Sequence, residues 1–163
     1  MDYSYIKGGI TEFDMWRLTS GFTGDADPIA SNLERVDTDF EVIGTGMSES
    51  SGVFSFPSTG KWLITFQYNS YLSGAENRAS ECAIQATTDN SSYTTRAESK
   101  QGHFQSSSSN SHGNLYTQMM FDVTNTSNDK VKFKVDSKND STTTIGNTAA
   151  NETSFSFMRL GDT

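Results

Sequence analysis

An antiparallel all-β sandwich or barrel is the fold class this sequence predicts, and three observations predict it. Apolar residues recur at every second position in several separate windows, the period of a half-buried strand. Runs rich in Ser, Thr, Asn and Gly separate those windows, as "TTDNSSY", "QSSSSNSHGN", "TNTSND" and "DSTTTIGNTAANET" do, and such runs make loops. Aromatic residues reach 12% of a 163-residue chain whose hydrophobic content is only 33%, so the core is built from few but bulky side chains.

The elements follow in chain order. The first dozen residues carry no pattern and are read as an N-terminal arm, residues 1–12, ahead of one domain over 13–163. The best helical candidate, "ASNLERV", is short, and no window sustains a helical period. Within "GVFSFPSTGKWLITFQY", Phe54 and Phe56 share a face, and Pro57 removes a backbone donor and ends the strand. "STG" then turns the chain, and a hairpin is expected. Trp62, Ile64, Phe66 and Tyr68 run back on one face, with Leu63, Thr65 and Gln67 on the other. Cys82, Ile84 and Ala86 alternate in "SECAIQA", which makes the single cysteine a small buried hydrophobe rather than a reactive thiol. Leu115, Thr117, Met119, Phe121 and Val123 mark a further strand. In "KVKFKVD" Val131, Phe133 and Val135 point inward while three lysines point outward. Phe155 and Phe157 alternate with serines near the end.

Composition excludes several functions. The net charge is −8 and the Lys and Arg residues are scattered singly, so no basic stripe exists to neutralise phosphates, and neither nucleic acid nor an anionic membrane is an expected partner. One cysteine makes an intrachain disulfide impossible. The opening "MDYSYIKGG" lacks the basic-then-apolar pattern of a signal peptide, and no run has membrane-spanning length. The Asn-x-Ser/Thr triplets at Asn90, Asn125, Asn139 and Asn151 follow from the composition and carry no further weight.

Chemistry finds little support. His103 and His112 flank the "QSSSSNS" loop and are read as solvated loop residues, because no nucleophile motif surrounds any serine. Two histidines and one distant cysteine supply a transition metal poorly. Carboxylates recur in "GDADP" and "DTDFE" without the layout of a calcium loop, so no cofactor is expected; calcium held by loop carboxylates from several strands is the one alternative left open. "GTGMSESSG" lacks the Lys-Ser/Thr of a phosphate-binding loop and reads as a turn. The chain is expected not to be an enzyme.

The spacing Phe54, Gly60, Trp62, Ile64, Phe66 resembles the signature of complement globular-head and tumour necrosis factor-like jelly rolls, Phe-x5-Gly-x-Tyr-x-Phe-x-Phe/Tyr. Trp stands for Tyr and Ile for the middle Phe, and both keep a bulky apolar group on the same face. "TSFSFMRLGD" is similar to the family's closing strand, which lies beside the strand following the glycine, and "NDKVKFKVDS" to its penultimate region. The resemblance implies a two-sheet antiparallel jelly roll over 13–163, assembled as a homotrimer. By analogy strands 62–68, 131–135 and 155–160 form the inner sheet facing the three-fold axis. Core or trimer candidates are then Phe54, Phe56, Trp62, Ile64, Phe66, Tyr68, Phe133, Phe155 and Phe157.

"SSGVFSFPSTG", "TTDNSSYTT" and the "RLGD" ending also look like jelly-roll virion proteins of tailed phages, marine ones in particular. No collagen-like Gly-x-y stalk precedes the motif, which moves the implied role from immune recognition to particle architecture. The expected role is a non-enzymatic capsid decoration protein or short spike or fibre head, assembled in a bacterial cytoplasm with other virion proteins. The alternative is a host-adhesion module, in which a surface loop carrying Tyr93, His103, Phe104 and His112 contacts a glycan or receptor.

Overall fold

The computed structural model describes residues 9–105 and 109–163, so residues 1–8 of the expected arm and 106–108 of the serine loop lie outside the described residues. Twelve strands, and no helix, occur among the described residues: β1 (Phe13–Leu18), β2 (Ser20–Thr23), β3 (Leu33–Arg35), β4 (Ser48–Ser50), β5 (Val53–Ser55), β6 (Gly60–Ser73), β7 (Asn77–Thr87), β8 (Thr94–His103), β9 (Asn110–Val123), β10 (Lys130–Ser137), β11 (Thr143–Asn147) and β12 (Ser154–Gly161). The helical candidate "ASNLERV" is instead the short strand β3, held by its ladder to β1.

The strands form two antiparallel sheets. One has seven strands in the order β2-β11-β6-β12-β1-β3, with β9 paired along the other edge of β6; the second has five, β4-β5-β10-β7-β8. β6 is the spine of the larger sheet. Along one edge it pairs with β9 over its whole length, from Gly60↔Val123 to Ser73↔Asn110. On its other edge β12 takes the first half and β11 the second. The closing strand thus lies beside the strand that follows the glycine, Phe155 opposite Phe66 and Phe157 opposite Ile64.

Two expectations are corrected. β5 and β6 are not a hairpin: β5 pairs with β4 and β10 in the smaller sheet, while β6 belongs to the larger one. Residues 56–59 are the corner between sheets. The physical reason is that Phe54 and Trp62 both point into the space between the sheets, which an arch satisfies as well as a hairpin does. Pro57 withholds a ladder donor, the Phe56 and Trp62 rings meet at 5.2 Å, and Trp62 Nε1 donates to the Ser58 carbonyl. Gly60 begins β6 at φ +139°, where an added Cβ would lie 2.5 Å from the Gly161 carbonyl oxygen. The second correction concerns the inner sheet. Strands 62–68 and 155–160 are neighbours in the larger sheet, but 131–135 is the middle of the smaller one, facing them across the core.

All nine residues named as core or trimer candidates are buried within a single chain. Phe54 sits at the centre, its ring 5.4 Å from Trp16, 5.5 Å from Phe133 and 5.1 Å from Phe157. Phe133 meets Phe155 at 4.2 Å across the sandwich. Each such pair adds about 0.5–1.5 kcal/mol beyond the area it buries. Cys82 is fully buried in this layer, and desolvation pushes its thiol up to about 12.

Candidate interaction face

The inward side chains of β6, β9, β12 and β1 are spent on the core, which leaves the opposite face of the larger sheet free for contact. Residues paired across antiparallel strands share a face, and the register places five apolar residues in one line. Leu63 is opposite Met120 on one side and Met158 on the other; Met158 is opposite Phe13, and Phe13 bridges to Ile43. Phe40 extends the line, its ring edge-on to Phe13 at 5.8 Å. Met120 is 63% exposed and Ile43 42%. Tyr116, Leu160 and Ile10 are also among the exposed large apolar residues, Tyr116 on this same face and the other two close to its end.

The far end of the line is held by buried charge. The Asp14 carboxylate accepts from the amides of Met15 and Met47, from Trp16 Nε1 and from the Arg35 guanidinium, at 2.7–3.1 Å. Glu12 accepts from the amides of Thr45 and Gly46. These contacts pin the 44–47 turn against β1, and the Phe13 and Ile43 backbones exchange two hydrogen bonds of 3.0 Å. Gly44 takes φ +81° in that turn, where a Cβ would meet the Thr11 carbonyl oxygen at 2.5 Å.

Polarity changes along β6. Next to the apolar line come Thr65 and Ser156, their hydroxyls hydrogen-bonded, with Gln118 and Met15 beside them. Beyond lie Tyr116 and Gln67, then Asn114 and Asn69, then His112, its ring tilted against Tyr71 at 5.8 Å. One face therefore grades from hydrophobic to polar over the length of the sheet. A basic patch is not part of it.

The four residues expected to share a contact loop are separated. Tyr93 precedes β8 and Phe104 follows it, so a ten-residue strand of about 30 Å divides them. Tyr93 is half-buried beneath Lys132, whose Nζ lies 4.8 Å from the ring centroid and 2.7 Å from Asp27. Phe104 is 76% exposed. His112 is exposed on β9, within a strand rather than a loop. His103 corrects the expectation of a solvated ring: it is 3% exposed at the end of β8. Its Nδ1 donates to the Ser111 carbonyl at 3.0 Å, since a carbonyl only accepts, and Nε2 faces the Ser70 hydroxyl at 3.1 Å. Ser70 and His103 come from opposite sheets, so this contact is a polar latch between them. Ser70 is itself fully buried.

Three of the loop carboxylates have specific partners. Asp25 accepts from the Ser137 amide, Asp27 pairs with Lys132, and Asp37 pairs with Arg17, itself 2% exposed. Among the described residues no three His, Cys, Asp or Glu side chains gather as a cation site would require.

No protein-family model and no curated protein matches this sequence. Solved structures do. The chain is similar to the Eiger TNF of S. frugiperda, with TM-score 0.69, 10% identity, and 95% of this chain and 96% of that one covered. It is similar also to two structures of murine APRIL, each with TM-score 0.63, at 10% and 12% identity over 91% of this chain and 98% of those. At such identity the likeness establishes the fold, and the fold is a TNF-like jelly roll.

Proposed function

We propose that this chain is a non-enzymatic structural protein that works as a homotrimer, joined through the apolar end of the outer face of its seven-stranded sheet, on the particle of a tailed phage. The observation that carries the assembly is the cross-strand line of Met120, Leu63, Met158, Phe13 and Ile43, an apolar row with exposed ends and a half-buried middle on an otherwise acidic molecule. An open apolar patch of this kind is a contact surface. A second copy is the fitting occupant, because the row contains no charge and copies of net charge −8 repel elsewhere. The sequence resemblance to TNF-like jelly rolls supports three as the number of copies, and the similarity in fold is consistent with it. The resemblance to phage jelly-roll virion proteins supports the setting, as a capsid decoration or a short spike or fibre head beside other virion proteins.

Light scattering behind size exclusion tests the assembly. The expected mass at micromolar concentration is three times 17.9 kDa; a species of 17.9 kDa would overturn it. Immunogold labelling of purified particles tests the setting, with stoichiometric decoration expected and unlabelled particles refuting it.

A further inference from the structure

At the polar end of the same face the sheet opens into a pocket of about 240 Å³, whose walls include Asn69, His112, Asn114, Ile145 and Glu152. It exists because two strands share one edge of β6. β12 leaves the ladder at Gln67 and β11 joins it at Ser70, so the edge at Asn69 meets neither ladder and is closed by the Thr153 hydroxyl. The loop between β11 and β12 then brings Glu152 alongside. Six residues of β6 separate Asn69 from Leu63, about 20 Å, so the pocket stands apart from the apolar line.

The wall is a relay of amides ending on a carboxylate. Asn114 Nδ2 donates to Asn69 Oδ1, and Asn69 Nδ2 donates to Glu152 Oε2 at 2.7 Å. This order uses one N–H of each amide and one carboxylate oxygen. It leaves a second N–H on each Asn, the Asn114 Oδ1 and the Glu152 Oε1, so donors and acceptors alternate along one side. Ile145 and the imidazole of His112, backed by Tyr71, supply apolar surface.

Chemistry narrows the ligand. No Lys or Arg lines the pocket and Glu152 does, so phosphate, sulfate and carboxylate ligands are repelled. Glu152 and His112 are the only residues of the usual metal-ligating kinds in its lining, and no third such residue gathers with them among the described residues. The volume is below the roughly 300–1,000 Å³ of pockets for drug-sized molecules, which suits one ring. A sugar ring offers vicinal hydroxyls that donate and accept at once, and C–H faces that rest on apolar or aromatic surface. We propose that this pocket binds a neutral, polyhydroxylated sugar ring, with Glu152 and Asn114 holding adjacent hydroxyls and His112 with Ile145 against the ring face. This goes beyond trimer formation and does not depend on it.

The test is amide chemical-shift titration of the full chain with the methyl glycosides of glucose, galactose, mannose and N-acetylglucosamine, together with an array of neutral glycans. Saturable shifts confined to residues around Asn69, Gly113, Asn114 and Glu152 are expected, with affinity on the order of 1 mM for a single ring. Glu152→Gln and Asn114→Ala should each weaken binding about tenfold while leaving the rest of the spectrum in place. Running the same titration on Met120→Glu separates this proposal from the assembly, since that variant alters the mass without touching the pocket. Absence of saturable binding across the glycosides and the array, shifts confined to Tyr93 or Phe104, or unchanged affinity in both pocket variants would each overturn the assignment.

Discussion

Met120→Glu is the sharpest perturbation of the proposed assembly. Met120 is 63% exposed in the single chain, so the substitution removes little packing, and the stability of the isolated fold should change by no more than about 0.5 kcal/mol. The new carboxylate would lie two residues from Asp122 on the same strand face, and Lys61, the nearest cation by register, already stands opposite Asp122. Burying this charge between copies without a partner costs about 3 kcal/mol per copy and so about 9 kcal/mol per trimer, a factor of roughly a million in the assembly constant. Sedimentation velocity should accordingly show a folded 17.9 kDa species at concentrations where the wild type sediments at three times that mass. The melting temperature of the wild type should rise with protein concentration, and that of the variant should not. A variant that keeps the wild-type mass would refute the placement of the interface, whatever the number of copies.

Phe133→Ala removes a fully buried ring that meets Phe54, Phe66, Phe155 and Phe157, and calorimetry should show a loss of about 3–5 kcal/mol. His103→Ala strands the Ser111 carbonyl and the Ser70 hydroxyl between the sheets; denaturant unfolding should report a cost of about 2–4 kcal/mol, and a neutral result would contradict the latch. Cys82 should resist a thiol reagent in the native state and react fully in denaturant. Its folded value near 12 exceeds the ordinary 9.0, so between those limits the native state holds a proton that the unfolded chain has released. Stability should therefore fall as pH rises above 9, by up to about 1.4 kcal/mol per pH unit, and Cys82→Ala should remove that contribution.

The sequence by itself determined which side chains go inside. Period-two alternation sorted Trp62, Ile64, Phe66, Tyr68, Phe133, Phe155 and Phe157 from their polar neighbours, and every one of them is buried. The resemblance carried by Phe54, Gly60 and the closing "SFSF" run further implied that β12 lies beside β6, the strand that follows the glycine, and it does. Alternation states a face, however, and not a sheet: the inward faces of both layers read identically, so β10 and the arch at 56–59 were decided only by how the sheets close on one another. His103 lies beside a serine-rich loop in sequence, yet pairing of β8 with β7 carries its ring between the layers. The apolar line and the pocket share that origin. Leu63, Met120, Met158 and Phe13 are distant along the chain, as are Asn69, Asn114 and Glu152, and each set becomes adjacent only through strand register. Local pattern is a short-range property of the chain, whereas a surface is assembled from long-range hydrogen bonds that no local window contains.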